Sequence, residues 1–195
     1  MINTDVDICN MALGFLKQDP ISSIEEPEST VEGECSRSYH SCRRFLLRTY
    51  PFHFATEQVA LPRSSTRTHP FYSDCYRLPA DCIRLQVIGT HAVKDYRDKY
   101  ALQSGFLCVN NEGNPQLNII YTRDIIDVTQ FDPIFVVALA RYMAYTMAMA
   151  LTGKPTMERA NEAGYLAAVT QARVVDSQEH PTQIVRRSPW LSRRG

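Results

Sequence analysis

The chain has 195 residues, 44% hydrophobic and 22% charged, which fits one large folded domain or a domain with a subdomain and excludes a disordered chain. Its 21 basic and 21 acidic residues cancel, so the body is not built as a wholesale polyanion binder. The six cysteines, Cys9, Cys35, Cys42, Cys75, Cys82 and Cys108, contain no Cys-x-x-Cys and no nearby His pair. Zinc, a disulfide framework and a cofactor are therefore not expected. With no signal peptide ahead of Thr4, free buried thiols in a reducing cytoplasm are the expectation for all six.

Thr4 is placed to cap a first helix running to about Gln18, with Asp7 three residues on imitating a capping box. Ile8, Met11, Ala12, Phe15 and Leu16 give that helix one apolar stripe, and Asp19-Pro20 ends it. The acidic, serine-rich stretch 21–30 has no periodicity and reads as a loop. A second helix is predicted from about Thr30 to Thr49. Val31, Cys35, Tyr39, Cys42, Phe45 and Leu46 share its inner face, while Arg37, Arg43, Arg44 and Arg48 fall largely off it. His40 is close to Cys42 in sequence, but positions i and i+2 of a helix point apart, so it does not activate that thiol.

Tyr50-Pro51-Phe52 breaks the helix, and the hydrophobic period falls towards two. Strands are predicted over 54–61, 71–78, 82–89, near Tyr96, and over 100–102, 106–109 and 116–122. The polar loop 63–70, RSSTRTHP, and turn signals at 78–81, 104–105 and 110–115 separate them. Together they predict one small antiparallel sheet inserted between two helical halves. His53, His69 and His91 fall in it singly, as surface or packing residues.

Between Pro133 and Gly153 the only charge is Arg141. Asp132 and Pro133 start a helix there, and Gly153 with Lys154-Pro155 stops it. At about 1.5 Å per residue this helix is nearly long enough to cross a bilayer. A charge at its middle and a composition rich in Ala, Met and Tyr argue instead for a central core helix. Ala140, Ala144 and Ala148 form a shallow stripe on it. A fourth helix, capped by Thr156 and running to about Gln178, offers a matching small face of Met157, Ala160, Ala163, Gly164, Ala167, Ala168 and Ala172. The whole predicts an α+β fold. A bundle of about four helices comes from 1–50 and 131–178, a β-platform from 51–130, and an extended C-terminal tail from 179–195.

Three segments, in this order, carry a resemblance. Phe45–Leu61 reads FLLRTYPFHFATEQVAL, Tyr76–Cys82 reads YRLPADC, and Tyr121 with Asp127–Ala140 leads through Phe-Asp-Pro into the long helix. They resemble the tail tubular protein A family, the head-to-tail adaptors of short-tailed bacteriophages, with Phe52 where that family often has tryptophan. The resemblance spans nearly the whole chain. It implies a structural virion protein rather than an enzyme, located at the head–tail junction and assembled in the host cytoplasm. It also implies a homo-oligomeric ring, a dodecamer in the virion, that joins the portal protein to the tail nozzle protein and lets genome DNA pass through without specific binding.

The tail carries the partner-binding candidates. Arg186, Arg187, Arg193 and Arg194 flank Pro189, Trp190 and Leu191, with Ile184 just upstream. A tryptophan beside apolar neighbours is a typical pocket anchor, and the arginine pairs suit acidic rims, here expected to be those of the portal. Two other readings stand beside this one. The arginines and Trp190 suit a DNA-binding module that grips phosphates and stacks a base. A virion-associated peptidoglycan-degrading enzyme needs two carboxylates roughly 5 to 10 Å apart in a cleft. The candidates for that role are Glu32 and Glu34, which diverge on a helix, and Glu25, Glu26 and Glu28 on the acidic loop.

Overall fold

A computed structural model describes residues 4–96 and 98–179. It is an α+β fold with four helices: α1 (Asp5–Leu16), α2 (Thr30–Thr49), α3 (Pro133–Thr152) and α4 (Pro155–Glu179). The Thr4 hydroxyl accepts from the Asp7 amide and the Asp7 carboxylate accepts from the Thr4 amide, so the shortened capping box at α1 is real. Ser29 and Glu32 make the same reciprocal pair and fix the start of α2. Asp132 caps α3 with Pro133 in its first turn, and Gly153 closes it at φ 62°, a left-handed conformation that costs glycine nothing. The fourth helix starts one residue before Thr156, with Pro155 in its first turn, so Thr156 is not its cap.

Between α2 and α3 lie β1 (Thr56–Pro62), β2 (Asp74–Arg77), β3 (Cys82–Ile88), β4 (His91–Ala92), β5 (Tyr100–Gln103), β6 (Phe106–Val109) and β7 (Gln116–Arg123). They form two antiparallel sheets rather than the one expected, in the orders β1-β7-β3-β4 and β2-β6-β5. Alternation identifies a strand but not its neighbour, and here β1 leaves the first sheet at Pro62 to bridge β2 through Arg63 and Tyr76. Residue 96 falls in a turn after a short 3-10 segment, not in a strand.

The expectation that all cysteines are free is corrected. Cys75 of β2 lies directly opposite Cys108 of β6, Cα atoms 4.1 Å apart, and the two form a disulfide. A sequence separation of 33 says nothing about pairing; the strand register creates it. Cys9, Cys35 and Cys42 are free and buried, and Cys82 is free and half-buried.

Buried apolar residues form two clusters. One gathers α1, α2, α3 and α4 together with Phe52, Ala55, Ile83, Ile125 and Phe131; the other lies between the sheets around Tyr76, Leu85, Leu107, Ile119 and Tyr121. Among the described residues α3 is the one helix long and apolar enough to cross a membrane. Its Ala140, Ala144 and Ala148 are all fully buried.

The face of α4 that meets the bundle differs from expectation. Ala160, Ala163 and Ala167 are exposed, whereas Asn161, Val169 and Ala172 are buried and Gly164, Tyr165 and Ala168 half-buried. The reason is Arg141. Its guanidinium sits 3.5 Å from the Phe15 ring centroid and donates to Asn161 at 3.5 Å. Gly164 packs against its stem so closely that a Cβ there would lie 3.2 Å from Arg141 Cδ. Holding this half-buried cation keeps the Met157, Gly164, Ala168 and Ala172 side of the expected face inward and leaves Ala160, Ala163 and Ala167 outside.

Arg43 is likewise not on the solvent side of α2 but buried, with 2% exposure, and its neighbour Phe45 is 45% exposed instead of inward.

Candidate functional site

The sequence-predicted anchor, Ile184, Arg186, Arg187, Pro189, Trp190, Leu191, Arg193 and Arg194, lies outside the described residues. What the described residues do place is the set of segments that carried the resemblance, and these converge where helices meet sheets. Phe131 and Phe135 stack edge-to-face with centroids 5.2 Å apart; Phe52 and Phe54 pack on Phe135 at 5.2 and 5.0 Å. Pairs of this kind contribute about 0.5–1.5 kcal/mol beyond their area. The Tyr121 hydroxyl donates to Asp81 Oδ1 at 3.2 Å, and burial together with that carboxylate raises the phenol to about 12. Arg43 and Arg44 of α2 both reach Asp124, at 2.8 and 3.4 Å, and Arg43 Nη1 also donates to the Ile125 carbonyl. Asp127 caps the 3-10 turn ahead of α3, and the Thr129 hydroxyl, Gln130 and the Thr129 amide hold it below the usual carboxylate range. The three segments, with the flanking Arg43, Arg44 and Asp124, thus form a joint that fixes the sheets on the bundle.

Residues weighed for catalysis are occupied otherwise. Glu32 accepts from the Glu28 amide at 2.8 Å and from the Ser29 amide at 3.0 Å, contacts that hold its carboxyl low. Glu34 pairs with Arg37. Glu25, Glu26 and Glu28 are exposed on the acidic loop. Cys42 meets Thr146 rather than His40, and burial raises its thiol. A hydrogen bond to Cys35, then burial, pushes Cys9 up as well, and burial followed by Asp81 lifts Cys82 to about 11. Among the described residues no group of three or more His, Cys, Asp or Glu is arranged to hold a metal ion. His53 Nδ1 lies 2.9 Å from Asp176, tying the first turn after α2 to α4; His69 packs on Tyr72 and His91 on Tyr96.

One surface went unread in the sequence. Phe45 stacks on Tyr142 with centroids 4.9 Å apart and planes 15° from parallel, and Tyr142 meets Tyr165 at 4.7 Å and Tyr145 at 6.2 Å. Beside them a cavity of about 330 Å³ is lined by Arg37, Ser38, Ser41 and Thr146. Leu166 and Met149, 56% and 45% exposed, add to the apolar area on the α3 and α4 side. Rings with one wet edge and one apolar face are typical of protein contact surfaces. The sequence signal was the set of tyrosines at 142, 145 and 165, which met Phe45 only once α2, α3 and α4 were packed. Compared with known proteins, the chain matches no family model and no curated sequence.

Proposed function

We propose that this chain is a structural head-to-tail adaptor of a short-tailed phage virion. Copies form a ring that joins the portal to the tail nozzle and surrounds the DNA exit channel. The observation that carries the reading is the ordered resemblance of 45–61, 76–82 and Tyr121 with 127–140, whose residues pack together where the bundle meets the sheets. Two features support it. The aromatic face of Phe45, Tyr142 and Tyr165 suits packing against a neighbouring copy, and two of the carboxylates weighed for hydrolysis, Glu32 and Glu34, are engaged in capping and pairing. The tail from Ile184 to Arg194 is the proposed portal anchor, and DNA passes the ring without sequence-specific contact.

The test is the solution mass of the purified protein, alone and mixed with its portal. A ring on the portal, with stoichiometry set by the portal, is the expected result. A protein that neither self-associates nor binds the portal removes the adaptor reading, as does clearing of purified peptidoglycan by the wild-type chain.

A further inference from the structure

The polar loop after β1 builds a positively charged cavity that the adaptor reading does not use. The Ser64 amide donates to the Cys75 carbonyl at 2.8 Å, pinning the loop to β2. The Ser64 hydroxyl then accepts from the amides of Thr66 and Arg67, at 3.3 and 3.1 Å, and turns the chain back. The result is a cavity of about 520 Å³ walled by Arg63, Ser64, Ser65, Arg67, Thr68 and Ser73.

Its charge is only partly balanced. Arg63 pairs with the buried Asp74 at 3.2 Å, and the remaining acceptor capacity of Asp74 goes to Ser73 and to the amides of Asn111 and Gly113. Arg67 has no carboxylate partner among the described residues. Its guanidinium carbon lies 5.8 Å from the Phe106 ring centroid, and Arg77, also without an acid partner there, lies 5.7 Å from the same ring. Arg67 Nε is sealed from solvent and donates to nothing among the described residues. A guanidinium without a carboxylate partner, lining a cavity beside hydroxyl side chains, is disposed to take an anion. Ser65 and Thr68 line the same cavity, and among the described residues neither hydroxyl makes a hydrogen bond.

We propose that this cavity binds a phosphate group, with the guanidinium of Arg67 as the principal ligand and with Ser65 and Thr68 donating to further oxygens. A guanidinium fork plus separate hydroxyl donors matches the several acceptor oxygens of a phosphate better than the two of a carboxylate. Arg77, which shares the Phe106 ring with Arg67, adds a second cation nearby, as a backbone of repeated phosphates requires. The site stands independently of the adaptor reading, since it rests on residues 63–77 and 106 alone.

The test uses the full chain labelled with ¹⁵N, following arginine Nε–H resonances during titration with inorganic phosphate at constant ionic strength. One resonance shifts saturably, and it is missing in Arg67→Lys, which keeps the charge but has no Nε; an unchanged backbone amide spectrum shows that this variant folds. No saturable shift, or an equal shift with acetate, overturns the proposal. A second arm finds the source of the phosphate with a short random-sequence DNA duplex, read by fluorescence anisotropy. Binding that Arg67→Ala and Arg77→Ala each weaken by about tenfold, with a shallower salt dependence, identifies a nucleic-acid backbone. A phosphate shift without duplex binding identifies a free or small-molecule phosphate.

Discussion

Arg43 and Asp124 bind each other across the boundary between bundle and sheets, Nη2 to Oδ1 at 2.8 Å, with the arginine side chain 3% exposed and the aspartate 18%. Arg44 shares the same carboxylate from the outside. Removing one member of a buried pair leaves a charge without compensation, typically a loss of about 3–5 kcal/mol. Asp124→Ala is expected to lower unfolding free energy by about 3 kcal/mol in urea titrations, since Arg44 and the Ile125 carbonyl still surround Arg43. A change below about 0.5 kcal/mol shows that the pair does not hold the joint.

The disulfide between Cys75 and Cys108 predicts a simple mass result. Alkylation of the unfolded, unreduced protein labels four cysteines, and reduction first exposes all six. Cys75→Ser with Cys108→Ser is expected to cost about 2–4 kcal/mol under oxidising conditions and almost nothing under reducing ones. Six labels without reduction contradict the bond.

Asp74 sets an acid limit on the sheets. Burial by itself raises its pKa, but the Ser73 hydroxyl, Arg63 and the amides of Gly113 and Asn111 outweigh burial and hold the carboxyl below the ordinary value of 3.8. A depressed folded-state pKa contributes stability that is fully present above the unfolded value and is lost as pH falls through the folded one. The stability gap between wild type and Asp74→Asn is therefore expected to be constant above about pH 5 and to shrink below about pH 4, read by urea unfolding. A gap independent of pH down to acid unfolding removes this role.

The seam between α3 and α4 separates buried alanines from exposed ones. Ala144→Phe overpacks the core and is expected to cost about 1–3 kcal/mol or more, whereas Ala167→Phe, on the open side of α4, stays within about 0.5 kcal/mol of wild type. Equal melting temperatures for the two variants exclude this register.

The proposed portal anchor has its own test. Trp190→Ala is expected to weaken portal binding by about 2 kcal/mol, roughly thirtyfold, while leaving the melting temperature unchanged. Wild-type affinity in that variant, measured by surface plasmon resonance on immobilised portal, shows that the anchor lies elsewhere.

The sequence by itself determined the elements. Thr4 with Asp7, Asp132 with Pro133, and Gly153 act within one turn of chain, so the start of α1 and both ends of α3 were legible, as were the bounds of α2 from its periodicity and the α+β class from the switch of period at Pro51. Only tertiary structure decided the partners. Two sheets replace one because alternation is blind to neighbours, and Cys75 meets Cys108 because β2 and β6 align them. Arg43 turns inward for a carboxylate 81 residues away. Arg141 displaces an alanine register that helical spacing favoured, since a half-buried cation must find a ring, an amide and a glycine to sit against. In each case a polar or covalent partner distant in sequence outweighed a local apolar pattern, and the cost of leaving such a group unpaired is what gives it that power.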